Sequence, residues 1–128
     1  MKILDEHVPA EQRAVLRGHF VWARQIGNGI GRPGMPDEEI IPLLQRLRRP
    51  TFFTFDMGFY ERRLCSEDYC LVCIDARDDE AASFVRRLSR HPRFNERPKR
   101  MGAVIRLSPK GIRAWTSRSP EEEQAEWV

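Results

Sequence analysis

Three separate apolar runs of this sequence each finish on an aspartate: Met1-Lys2-Ile3-Leu4-Asp5, Thr51-Phe52-Phe53-Thr54-Phe55-Asp56 and Leu71-Val72-Cys73-Ile74-Asp75. Carboxylates gathered within about 5 Å raise one another's pKa, so such a group is unfavourable unless a cation neutralises it. Mg2+ suits that task because it takes a few carboxylates and keeps several waters, leaving room for phosphate oxygens and a water nucleophile. The chemistry this points to is metal-assisted hydrolysis of a phosphoester. Asp37, in Met35-Pro36-Asp37-Glu38-Glu39, opens a helical pattern and is placed to add a ligand from above the strands. Aspartate after a strand is also a common turn residue, and Asp75, beside Asp78 and Asp79, carries that second reading too.

The elements that must position these acids are those of a β/α chain with a largely parallel sheet, in which strand carboxyl ends share one edge and ligands bind where loops diverge. Met1–Leu4 reads as the first strand, followed by a helix that Pro9 opens and Gly18 closes. His19–Ala23 reads as the second strand, and 24–36, with four glycines and two prolines, as a mobile loop. Ile40, Ile41, Leu43, Leu44 and Leu47 mark the buried face of the next helix. Thr51–Phe55 and Tyr69–Ile74 are β-branched and aromatic enough for central strands. A further helix carries Phe84, Val85 and Leu88 and stops at Pro92. Met101–Leu107 and Ile112–Thr116 flank Ser108-Pro109-Lys110-Gly111, a type I turn pattern, and so predict a C-terminal β-hairpin. Ser119-Pro120-Glu121-Glu122 has capping-box spacing and predicts a short last helix bearing Trp127. The expected organisation is a single domain over 1–118 and an acidic C-terminal tail or short helix over 119–128.

Composition bounds the rest. The chain has 128 residues, 41% of them apolar, the size of one domain. No apolar run reaches the roughly 18–20 residues of a membrane span, and the first residues meet Asp5-Glu6 after two apolar positions, so a cytoplasmic protein with no membrane partner is expected. Three cysteines make no closed disulfide framework. Cys70 and Cys73, three apart on a strand, fall on opposite faces and cannot share a metal. The net charge of +3 hides an uneven distribution: residues 86–118 hold eleven Arg or Lys against Glu96 alone, whereas 119–128 hold four glutamates and no base. That basic excess suits a polyanion. Within it, Arg113 and Trp115 lie two apart on one strand face, the spacing of a stacking platform for unpaired bases, with Arg106 and Lys110 nearby.

Taken in order, Met1-Lys2-Ile3-Leu4-Asp5-Glu6-His7-Val8-Pro9, Gly18-His19, Met35-Pro36-Asp37-Glu38-Glu39-Ile40 and Thr51-Phe52-Phe53-Thr54-Phe55-Asp56-Met57-Gly58-Phe59 resemble the small PIN-like proteins over about the first half of the chain. The second aspartate of that family's D-x-D-F strand end is Gly58 here. The resemblance implies a PIN-like three-layer α/β fold with a central, mostly parallel sheet. It also implies an endoribonuclease dependent on Mg2+ or Mn2+, as in toxins of type II toxin–antitoxin modules, with Asp5, Asp37 and Asp56 as the catalytic, metal-binding acids. Glu6 and Glu38 stand in for the helix glutamate of larger relatives, and Asp75 extends the metal set. RNA is then the substrate, held by Arg106, Lys110, Arg113 and Trp115, and an antitoxin protein and a second copy of the chain are the expected partners. Two alternatives stand beside this reading: a catalytically degenerate PIN-like protein that binds RNA or an antitoxin, and a phosphoacceptor receiver domain. The receiver needs a hydroxyl residue ending its fourth strand and a lysine ending its fifth, and Asp75 and the absence of a suitable lysine argue against it.

Overall fold

Parallel pairing of short apolar strands needs crossovers that cover both faces of a sheet, and the computed structural model, which describes residues 1–128, has that arrangement. Eight strands form one mixed sheet in the order β3-β2-β1-β4-β5-β6-β7-β8. They are β1 (Lys2–Leu4), β2 (Ala23–Ile26), β3 (Gly29–Ile30), β4 (Thr51–Thr54), β5 (Cys70–Ile74), β6 (Ala103–Ser108), β7 (Gly111–Thr116) and β8 (Glu123–Ala125). All pairs from β3 to β6 are parallel; β7 is antiparallel to β6 and β8 to β7.

Four helices complete the chain: α1 (Ala10–Gly18), α2 (Asp37–Gln45), α3 (Ala81–Arg90) and α4 (Arg97–Arg100). Alternation along each strand sorts the apolar side chains into two cores. Leu4, Phe53, Val72 and Ile105 pack with Leu16 of α1 and with Phe84, Val85 and Leu88 of α3. Ile3, Phe52, Leu71 and Val104 pack with Ile40, Leu43 and Leu44 of α2 on the other face. Cys70 belongs to the first core and Cys73 to the second, so their thiols face apart as the spacing requires.

This order has a functional consequence. From β1 the chain crosses by α1 to β2 on one side, then returns by α2 to β4 on the other side of β1. The two connections leave on opposite faces, so a crevice opens at the carboxyl ends of β1 and β4.

Three expectations are corrected. The second strand is Ala23–Ile26 rather than His19–Ala23, because 16–21 are used to close α1. Val21 N–H donates to the Leu16 carbonyl (2.9 Å) and Phe20 N–H to the Arg17 carbonyl (3.0 Å), the two bonds of a Schellman motif. Its left-handed position is Phe20, φ 61°, not Gly18. The glycine-rich stretch, read as loop, instead contains most of β2 and all of β3, with Gly27 N–H donating to the Ile30 carbonyl at 2.8 Å. Beyond residue 118 there is no helix: Glu123–Ala125 adds to the sheet as β8. Trp127 is drawn onto Phe84 and His91, with its indole N–H on the Ser108 carbonyl at 2.7 Å.

Candidate functional site

Asp5 follows β1 directly, and its N–H donates to the Phe53 carbonyl of β4 at 2.9 Å, which extends the parallel register by one residue. Asp5 and Thr54 therefore end level with one another on neighbouring strands. Fully buried Thr54 joins the two strand ends: its hydroxyl donates to Asp5 Oδ2 (2.7 Å) and accepts from the Asp56 N–H (3.0 Å). Asp56 turns the chain into a 3-10 segment, Met57–Phe59, with Oδ1 accepting from the Gly58 N–H at 2.8 Å. A Cβ at position 58 would lie 2.9 Å from that oxygen, so this cap fits glycine best.

Asp37 arrives from the opposite direction, as the first residue of α2. Partial burial, the adjoining Asp56 carboxyl, and the charges of Asp5 and Glu38 hold the Asp37 pKa above the ordinary carboxylate value. Each neighbouring cause is an acid, so the three aspartates share one electrostatic environment at the crevice, with Asp37 nearest Asp56. A 380 Å3 cleft lined by Asp37, Glu38, Gly58, Phe59 and Arg63 opens beside them.

The other carboxylates are engaged elsewhere. Both oxygens of Glu6 accept from the Gly34 N–H (3.0 and 3.1 Å), so Glu6 secures the 27–34 segment against the β1 turn. Asp75 lies past the end of β5 and is bound by Arg106 at 2.6 Å. Two residues expected to serve a metal and an RNA strand thus neutralise each other. Gln25, 6% exposed, was not among the expected site residues; its Nε2 donates to the Val8 (2.7 Å) and Asp5 (3.1 Å) carbonyls and fixes the turn from which Asp5 projects.

Next to the acids the same sheet face turns basic. Thr54 is level with Cys73, Cys73 with Arg106, Arg106 with Arg113, and Arg113 with Gln124. At about 4.8 Å per strand, Arg106 stands about 10 Å from Thr54. Cys73, between them, is an inert thiol, its pKa pushed up to about 12 by burial and the Asp56 charge. Tyr60 reaches over this row and donates to Glu122 Oε2 at 2.6 Å; Glu122 also lies 3.7 Å from Arg113. Burial and the Glu122 bond raise the Tyr60 pKa. Trp115 is half-buried against the α2-side core, so its indole is mainly a packing group. Arg106, Lys110 and Arg113 line an 810 Å3 groove that Asp75, Gln124 and Glu126 also border.

No group of three or more His, Cys, Asp or Glu side chains is arranged to hold a metal ion as it stands. The donor set fits a hard divalent cation in kind: all-oxygen ligands, two of them oriented by Thr54 and Gly58, and a third whose ionisation is opposed by its acidic neighbours. The residues that would hold it are Asp5, Asp37 and Asp56, with Glu38 adjacent. Compared with protein-family models, curated proteins and solved structures, the chain matches none of them.

Proposed function

We propose that this protein is a metal-dependent endoribonuclease of PIN-like type, acting in the cytoplasm, with Asp5, Asp37 and Asp56 as its catalytic acids. The observation that carries this reading is the position of those carboxylates where the sheet order reverses, the place in an open α/β sheet where ligands bind. Mg2+ or Mn2+ held there would offset the mutual repulsion of the acids, activate a water and neutralise charge on a phosphate. The protein's own contribution is orientation. Thr54 and Gly58 fix one oxygen each of Asp5 and Asp56, Gln25 holds the Asp5 turn, and Arg106 (about 10 Å away) and Arg113 (about 14 Å away), on the same face, would hold a neighbouring phosphate of one strand in exchange for Asp75 and Glu122.

Cleavage of a fluorescent RNA in Mg2+ or Mn2+, and its loss in chelator, tests this. Asp5→Asn and Asp56→Asn are each expected to lower the rate at least a hundredfold; rates equal to the wild type's would overturn the proposal. A second reading, a PIN-like protein that binds RNA or an antitoxin without cleaving it, is favoured by Gly58 standing where the family's pattern has an aspartate, its N–H occupying Asp56 Oδ1. RNA binding without metal-dependent turnover in the same assay would select it. Pairing with an antitoxin or a second copy belongs to both readings, and co-purification and sedimentation measure it.

A further inference from the structure

At the amino edge of the sheet, opposite the aspartates, two aromatic rings stand in solvent among arginines. Phe20 is 85% and Trp22 68% exposed. Phe20 occupies the left-handed position that closes α1, where glycine is relaxed and phenylalanine is not, and its ring joins neither core. Neither packing nor local geometry selects phenylalanine there. A strained residue that contributes little to packing is the kind retained at binding sites.

The register places this pair beside a basic strip. Ala23 is level with Lys2 and Lys2 with Thr51, so one step outward Trp22, Met1 and Pro50 follow one another across three strands. At about 4.8 Å per strand, Trp22 is about 10 Å from the chain at Pro50, within reach of the exposed Arg48 and Arg49 before it. Arg49 is itself left-handed, φ 48°. Arg17 lies in the last turn of α1, and Arg100 is anchored on Thr51 Oγ1 at 3.1 Å with Arg97 beside it. None of Arg17, Arg48, Arg49 or Arg97 takes part in any of the chain's ion pairs. The acid before β5, Glu67, is already bound by Ser117 and Arg118, and Glu96 lies toward Lys99. Burial first, and then the Arg100 charge, lower the Lys2 pKa.

We infer that this amino edge binds a single-stranded polynucleotide, with bases stacked on Phe20 and Trp22 and phosphates on Arg17, Arg48, Arg49 and Arg97. A polynucleotide is favoured over a protein partner because every unpaired charge flanking the rings is positive, a one-sign strip complementary to a phosphate backbone. Aromatic faces with cationic flanks serve a single strand without sequence preference. The surface lies at the other end of the strands from Asp5 and Asp56, about 13 Å away along β4, and needs no cation. It therefore goes beyond the hydrolase reading and stands or falls separately from it.

The test is fluorescence anisotropy of a labelled oligouridylate of about 15 nucleotides, in chelator so that no cleavage occurs, across a salt series. Phe20→Gly combined with Trp22→Ser is expected to weaken binding about tenfold with the salt slope unchanged. Arg48→Ser combined with Arg49→Gly is expected to flatten the log–log salt slope by about 1.4, the share of two phosphate contacts on a single strand. Phe20→Gly alone, which relaxes the backbone, keeps the experiment decisive where the double variant fails to fold; it should weaken binding at least threefold. Wild-type affinity and slope in folded variants overturn the proposal. So does a change in sedimentation with binding intact, which would assign the rings to contact with a second copy.

Discussion

Asp37 is the residue whose chemistry is most sharply set by its neighbours. Its folded pKa is raised, so the protonated form is favoured in the folded chain. The stability this contributes is present below the unfolded carboxylate value, about 3.9, and is lost as pH rises through the folded value. In metal-free buffer Asp37→Asn is therefore expected to raise the melting temperature at pH 7 and to have no effect near pH 3; thermal melts at the two pH values check this. Thr54 plays the complementary part. Thr54→Val leaves Asp5 Oδ2 and the Asp56 N–H without their partner, which should cost about 1 kcal/mol by urea unfolding and weaken Mn2+ binding about 10–100-fold. Asp5 and Asp56 were legible because each ends an apolar run, and Asp37 because it opens a helical pattern. Thr54 was not, because a threonine inside Thr51–Phe55 reads as one more β-branched strand residue, and only the register with β1 gives its hydroxyl a use.

At the scale of the element, the strands that carry the acids follow from apolar runs bounded by polar residues, and α2 from the spacing of Ile40, Leu43 and Leu44. The region 16–36 did not follow. A helix end at Gly18 suggested a strand at once, but the closing motif spends three further residues and puts its left-handed position at Phe20. Phe20→Gly is expected to stabilise the chain by about 1 kcal/mol, since the ring is exposed and the backbone strain is removed; the urea midpoint measures it. Gln25 was hidden because a polar residue in a glycine-rich stretch reads as loop. It is instead the buried clamp on the 5–8 turn, and Gln25→Leu should cost about 2 kcal/mol by leaving the Val8 carbonyl unpaired and the Asp5 carbonyl with only the Val8 N–H.

Across the whole molecule, one sheet separates charge into two regions of a single face: acids where the strand order reverses and arginines on β6 and β7. The carboxyl-terminal stretch belongs to this arrangement. Glu122 sits between Tyr60 and Arg113, and Glu123 is paired with Arg93 at 3.0 Å, so the acids of the expected tail or short helix lie against the basic surface. That placement depends on Trp127 and on β7 offering an open edge, which no local pattern in 119–128 announces. Glu122→Gln with Glu123→Gln should strengthen RNA binding severalfold at low salt and little at high salt, read by anisotropy in chelator. The central claim is that Asp5, Asp37 and Asp56 together take one divalent cation, and calorimetric titration with Mn2+ tests it most directly. One site per chain, lost in Asp56→Asn and in Asp37→Asn, is the expected result; no binding, or binding unchanged in both variants, would contradict it.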